Sequence, residues 1–289
     1  MTALRKTAVL SMDVEDWYHL DYFGRGQCNE NISMLDGVER YLGILAQEHV
    51  PSSFFVLGEL AGRVARLLNG QPDVGAHGWS HRRPLTMSVD EFAQDALRTR
   101  RELEDRLGRE VVGYRAPCFS MDRKRLDRLQ ELGYNYDSSR IDFAGHPLYG
   151  TLDMSGFDVA RPWIYQRQSF LEFEISSLAC GRRRFPVAGG GYLRLLPWPL
   201  MRFLLTRYLR QETFYVLYIH PFELSTRPDP PLPTGTPRAT RVRFSRGRHA
   251  VAQRLRTLIA ILRKHGFTFS TFASVRQELL SQQAPESVI

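Results

Sequence analysis

Apolar residues along this chain cluster in short runs, and the runs alternate with stretches where they return every third or fourth position. Residues 7–12 (TAVLSM) lead straight into Asp13-Val14-Glu15-Asp16, the pattern of a buried strand that ends in acid. A second run at 52–57 precedes Gly58 and the helical spacing of Leu60, Val64, Leu67 and Leu68. Val74-Gly75-Ala76 predicts a third strand, ending at His77. From Ser88 to Leu107, Val89, Phe92, Ala96, Leu103 and Leu107 predict a helix with Ser88 as its N-cap. Residues 111–114 predict a strand that ends at Arg115, and 123–132 a helix closed by Gly133. A strand then runs into Asp137, and Tyr215 to Ile219 predict another that ends at His220. The chain closes with a helix over 255–265 and a strand over 267–272.

Strands that alternate with helices predict parallel β-α-β units in a barrel or doubly wound sheet. No repeat or linker divides the 289 residues, so they read as one domain. Residues 225–248, rich in Pro, Thr and Arg, read as a long mobile loop near the site. The polar residues able to do chemistry sit where strands end, which is where a barrel builds its active site.

Composition narrows the partners. No apolar run is long enough to span a membrane, and the N-terminal apolar stretch is too short for a secretion signal. The expectation is a mature chain that begins near Met1 and stays in the cytoplasm. Three scattered cysteines, Cys28, Cys118 and Cys180, suggest neither a disulfide framework nor a cysteine zinc site. The net charge of +8 is carried by arginine without an aromatic-interleaved motif, so nucleic acid is set aside as a partner. An anionic membrane surface or a lipid-linked anionic substrate suits the charge equally well. Residues 192–209 mix Trp198 and leucines with Arg194, Arg202 and Arg207, the composition of an interfacial helix that starts near 199.

Five clusters are candidates for chemistry, each ordinary when taken alone. They are Asp13-Val-Glu15-Asp16, His77-Gly-Trp-Ser-His81, Arg115-Ala-Pro117, Tyr136-Asp137-Ser-Ser and Leu217-Tyr-Ile-His220-Pro. Histidines at i and i+4 can face one ion, and imidazole suits zinc and its neighbours.

In order and spacing, the words DVEDW, AHGWSH, GYRAP, LGYNYDSS, GGGYLRLLP and LYIHPFE resemble the motifs of the polysaccharide deacetylases. This is the NodB-homology family of carbohydrate esterases, and the words are most similar to a subgroup found with bacterial exopolysaccharide and exosortase loci. The resemblance spans about residues 9–272. It implies an α/β fold, a distorted, partly open (β/α)7 barrel, that removes N- or O-acetyl groups from a glycan with one divalent metal. That metal is zinc in first place, with cobalt, nickel, manganese or iron as alternatives. Asp13 would be the general base, and His77 and His81 two metal ligands. The third ligand is a carboxylate: alternation along the strand favours Glu15, a turn delivers Asp16, and Asp16 is preferred as the usual ligand type. Arg115 would pair with Asp13, while Pro117 shapes the turn that offers the Cys118 backbone N–H as oxyanion donor. His220 would be the general acid, and Leu217 or Ile219 would line the acetyl-methyl pocket. Asp137 would hold His220, although the tryptophan expected after it is missing here. Trp17, Tyr18, Trp79 and Trp163 are candidates for stacking on sugar rings. The competing readings are a C–N hydrolase for a small amide and an inactive glycan-binding barrel attached to a polymer-export complex.

Overall fold

The computed structural model describes residues 5–24, 26–142, 148–180 and 183–283. Its first strand, β1 (Thr7–Val14), is buried along its whole length. Leu10, Met12 and Val14 join the cluster beneath the helices, and Val9 joins a second cluster with Phe55 and Val216. Burial on both faces is why the strand reads as a near-continuous apolar run. It pairs in parallel with β2 (Ser53–Val56), which pairs with β3 (Asp73–Ala76), then β4 (Gly113–Tyr114) and β5 (Tyr136–Asp137).

Beyond β5 the sheet continues through an antiparallel meander that the sequence pattern does not announce. It consists of β6 (Asp158–Arg161), β7 (Ile164–Arg167) and β8 (Phe170–Phe173), with β8 parallel to β5. A separate hairpin follows, β9 (Ser177–Cys180) with β10 (Arg183–Pro186). On the other side of β1 lies β11 (Phe214–Ile219), and β12 (Thr268–Ser270) pairs with β1 over Thr7 to Val9, just before β2 takes over. The run β11-β1-β2-β3-β4-β5-β8 supplies seven parallel strands of a distorted, partly open (β/α)7 barrel.

Helix signals are realised locally. Ser88 caps the helix Val89–Leu107 in a reciprocal box with Glu91, and Gly108 ends it in the left-handed conformation. The final apolar segment is divided differently from expectation: β12 is shorter, and Phe272–Gln283 forms a helix. The helix expected to start near 199 runs from Trp198 to Gln211, and a short helix, Gly190–Leu195, precedes it. Residues 225–237 hold no helix or strand, as a loop would, but the expected loop ends short of 248. The helix Arg238–Ser245 follows, and its buried Phe244 stacks on Phe222 at 5.3 Å. The largely buried Arg248 donates hydrogen bonds to the carbonyls of Phe222, Ser225 and Arg227.

Candidate metal and catalytic centre

The C-terminal ends of β1, β3, β4 and β11 deliver polar side chains to one cavity of roughly 300 Å³. Asp13, Glu15, His77, His81, Cys118 and His220 all line it. Asp13 receives Arg115 Nη1 at 2.7 Å, an ion pair buried on both sides. Arg115 is itself held by Ser11, by the Ser138 carbonyl and hydroxyl, and by the Phe55 ring 4.2 Å below its guanidinium. Every donor on one edge of the fork is thus engaged, which fixes the carboxylate it serves.

Glu15 and the two histidines converge, with ligand atoms all within 4.8 Å of one another. Glu15 Oε2 lies 2.6 Å from His81 Nε2, yet it is a buried oxygen without a bond of hydrogen-bonding geometry. Burial alone would raise the Glu15 pKa, but the charges of His81, His220 and His77 outweigh it and hold the carboxyl at about 2. His77 is driven the other way, to about 4, by burial, so it is neutral near pH 7 as a ligand must be. Its Nδ1 bonds the Arg115 carbonyl at 2.8 Å, which leaves Nε2 for the cavity. An orphaned buried carboxylate oxygen beside two imidazoles fits a three-ligand catalytic metal site with an open position.

Asp16 does not share this employment. Its Oδ1 accepts from the backbone of Trp17 and Met34 and its Oδ2 from Ser33, so it caps the turn after β1 and ties down residues 33 and 34. The structure thus brings Glu15, and not the preferred Asp16, to the two histidines, because strand alternation persists one residue past Val14 and turns 13 and 15 to the same side.

His220 Nε2 lies 3.5 Å from Glu15 Oε1, and its Nδ1 lies 3.2 Å from Glu223 Oε2. Glu223 is buried and in turn bonded by the buried Arg194 at 3.0 Å. A Cβ on Gly190 would meet Glu223 Oε2 at 1.9 Å, so a glycine is needed for the carboxylate to sit there. Burial would lower His220, but Glu223 and Glu15 outweigh it and raise the pKa to about 9. The Arg194–Glu223–His220 chain was missed in the sequence, although GGGYLR and HPFE carry all its members.

Asp137, expected to hold His220, is turned to Ser139 and to Glu172, its register partner across β5 and β8. Leu217 is also displaced from its expected role: with Ile219 it packs into the helix-side core, and Tyr218 is the residue of β11 that reaches the cavity. Pro117 opens the turn as expected, and Cys118 follows in the left-handed region at φ 54°. Its backbone N–H bonds no carbonyl among the described residues. Of the aromatic candidates for sugar stacking, Trp17 is core, Trp79 carries the Arg98 guanidinium, Trp163 donates to Glu212 and the Tyr18 hydroxyl accepts from Arg63. The aromatic wall of the cavity is Tyr22, Phe119, Tyr149, Tyr192 and Tyr218 instead.

Comparison with known proteins divides the chain in two. Residues 31–136 match the model of the polysaccharide deacetylase family, and residues 138–277 match a domain of unknown function, DUF3473. The peptidoglycan deacetylase of Helicobacter pylori is 26% identical over 117 residues, which are 39% of this chain and 40% of that protein's length. Among solved structures, a candidate polysaccharide deacetylase from Mycobacterium smegmatis aligns with a TM-score of 0.61 at 20% identity, over 98% of this chain and 93% of its own. A family 4 carbohydrate esterase pseudoenzyme from Bacillus anthracis aligns with a TM-score of 0.52 at 14% identity, over 94% of this chain and 66% of its own. The two structural likenesses share a fold, and a fold that includes a pseudoenzyme leaves activity to be argued from the site.

Proposed function

We propose that this chain, which carries a polysaccharide deacetylase domain in its first half and the DUF3473 domain in its second, hydrolyses acetyl groups on a bacterial glycan. The observation behind this reading is the meeting of three devices in one cavity: the Asp13–Arg115 pair, the Glu15/His77/His81 cluster and the supported His220. A divalent ion held by Glu15, His77 and His81 would supply an acidified water and polarise the acyl oxygen. Asp13, fixed by Arg115, takes the proton from the attacking water. The Cys118 N–H faces the oxygen that gains charge at the acyl carbon. His220 presents Nε2 to the leaving nitrogen and gives it a proton, while Glu223 holds the opposite ring nitrogen.

The finer reading is an N-acetylated exopolysaccharide precursor, reached at the inner membrane and lipid-linked. In its favour, the helix Trp198–Gln211 exposes Leu200 and Phe203 beside Arg202, Arg207 and Arg210, a face suited to anionic lipid. No helix among the described residues is long and apolar enough to cross a membrane. Acetate release from N-acetylated glycans by the purified, zinc-loaded chain tests the activity. Asp13→Asn should keep the metal and lose at least ~100-fold in rate, the low end for removing a general base. A near-normal rate in that variant overturns the assignment, and binding of glycan without any acetate release favours an inactive glycan-binding barrel.

A further inference from the structure

His81 has a second face. Its Nε2 turns to Glu15, while its Nδ1 is buried and makes no hydrogen bond among the described residues. The residue is only 6% exposed, so that nitrogen has no solvent to satisfy it. It points to Asp21 Oδ2 at 4.0 Å, and Cys118 Sγ lies 2.7 Å from the same oxygen. One ligand atom from each of Asp21, His81 and Cys118 falls within 4.8 Å of the others. Cys118 comes here because two consecutive residues, Cys118 and Phe119, hold left-handed backbone at φ 54° and 52°. Non-glycine residues rarely adopt such angles, so the turn places that side chain against a local preference.

We propose that Cys118 Sγ, Asp21 Oδ2 and His81 Nδ1 form a second metal site for a thiophilic divalent ion such as zinc, and that filling it inhibits the enzyme. Thiolate, imidazole and carboxylate together select zinc and cobalt over magnesium or calcium. On binding, the thiol proton leaves to solvent as the sulfur–metal bond forms. The His81 ring also gives up its remaining N–H proton when both nitrogens are engaged, and no electron is transferred. Inhibition follows from position, since Asp21, His81 and Cys118 line the cavity that also holds Asp13 and His220. Only the inhibitory half of the proposal rests on the deacetylase reading.

Cobalt titration of the metal-stripped chain tests the site. The wild type should take up two ions in succession, the second bringing a thiolate-to-cobalt charge-transfer band. Cys118→Ser and Asp21→Asn should each bind one ion, and Cys118→Ser should show no band. His77→Ala should lose the first ion and keep the band, since His77 belongs to the other set. With zinc, acetate release by the wild type should rise with the first ion and fall with the second, whereas Cys118→Ser should show no fall from its own maximum. A wild type without the band, or a folded Cys118→Ser that binds as many ions as the wild type, overturns the second site. The band without the fall in activity overturns inhibition alone. Two ions still bound to His77→Ala would instead sink the catalytic metal assignment and leave the thiolate site standing.

Discussion

Asp16 and Glu15 are adjacent, equally buried and oppositely employed, so they separate structure from chemistry at the scale of one residue. Glu15→Gln should lose the ion, because an amide oxygen is a poor substitute for the carboxylate between His77 and His81. Asp16→Ala should keep it and instead destabilise the fold by about 1–2 kcal/mol, the cost of an N-cap and its hydrogen bonds. Elemental analysis and denaturation of both variants check this, and metal lost only from Asp16→Ala would reverse the assignment. Glu223 acts through His220, so Glu223→Gln should lower kcat more than it raises KM. The loss should shrink on matched O-acetyl esters, whose leaving groups need less protonation than amines. An equal loss on amide and ester would make Glu223 merely structural. Alternation along β1 made the Asp13–Glu15 side legible in the sequence. Glu223 was not legible, because its link to His220 depends on Arg194 and the room left at Gly190, both distant in the chain.

At the scale of elements, β5 and β8 place Asp137 directly opposite Glu172, two carboxyls in the core. Glu172 Oε1 accepts from the backbone of Ser139 and Arg140, and Asp137 Oδ1 from the Ser139 hydroxyl. The remaining oxygens, Asp137 Oδ2 and Glu172 Oε2, find no donor among the described residues, which predicts that the pair shares a proton. Burial raises both pKa values, most strongly at Glu172, where the Asp137 charge adds to it. A carboxyl with a raised folded pKa binds more protons folded than unfolded. Its contribution is therefore complete below the unfolded value of ~4 and is lost as pH rises through the folded one. Wild type should lose stability relative to Glu172→Gln as pH climbs from about 4 through neutrality, measured by denaturation across that range. A constant difference would show that no proton is shared. This pairing was invisible in the sequence because β5 is only two residues long and its register is set by a partner distant in the chain, and the β6–β7 hairpin because strands of four residues with mixed burial leave no clear period. The parallel strands were legible because they are buried on both faces, and the helices Val89–Leu107 and Arg123–Glu131 because Ser88 and Asp122 cap them, whereas the uncapped Asp36–Glu48 between β1 and β2 was not.

Over the whole molecule, the cluster joins parts of the chain that the sheet alone holds only indirectly. Glu15 follows β1, whereas His77 and His81 follow β3, with β2 between the two strands. Without an ion, a buried carboxylate with an unsatisfied oxygen is left there, which costs about 1–3 kcal/mol or more for a charged group. An ion that binds only the folded arrangement adds stability by mass action, about 2.7 kcal/mol at a free concentration a hundred times its dissociation constant. Zinc should therefore shift the urea midpoint upward while leaving the slope unchanged, since the surface exposed on unfolding is the same. Chelation should reverse the shift, and His77→Ala should lose the share of it that the first ion supplies. Asp13→Asn should retain it, because Asp13 is held by Arg115 and is not one of the three clustered ligands. Comparing those two variants ties the stabilisation to the ligand set rather than to charge in the cavity at large. If zinc stabilised His77→Ala as much as the wild type, the ion would be held elsewhere, and the catalytic reading built on Glu15, His77 and His81 would fall with it.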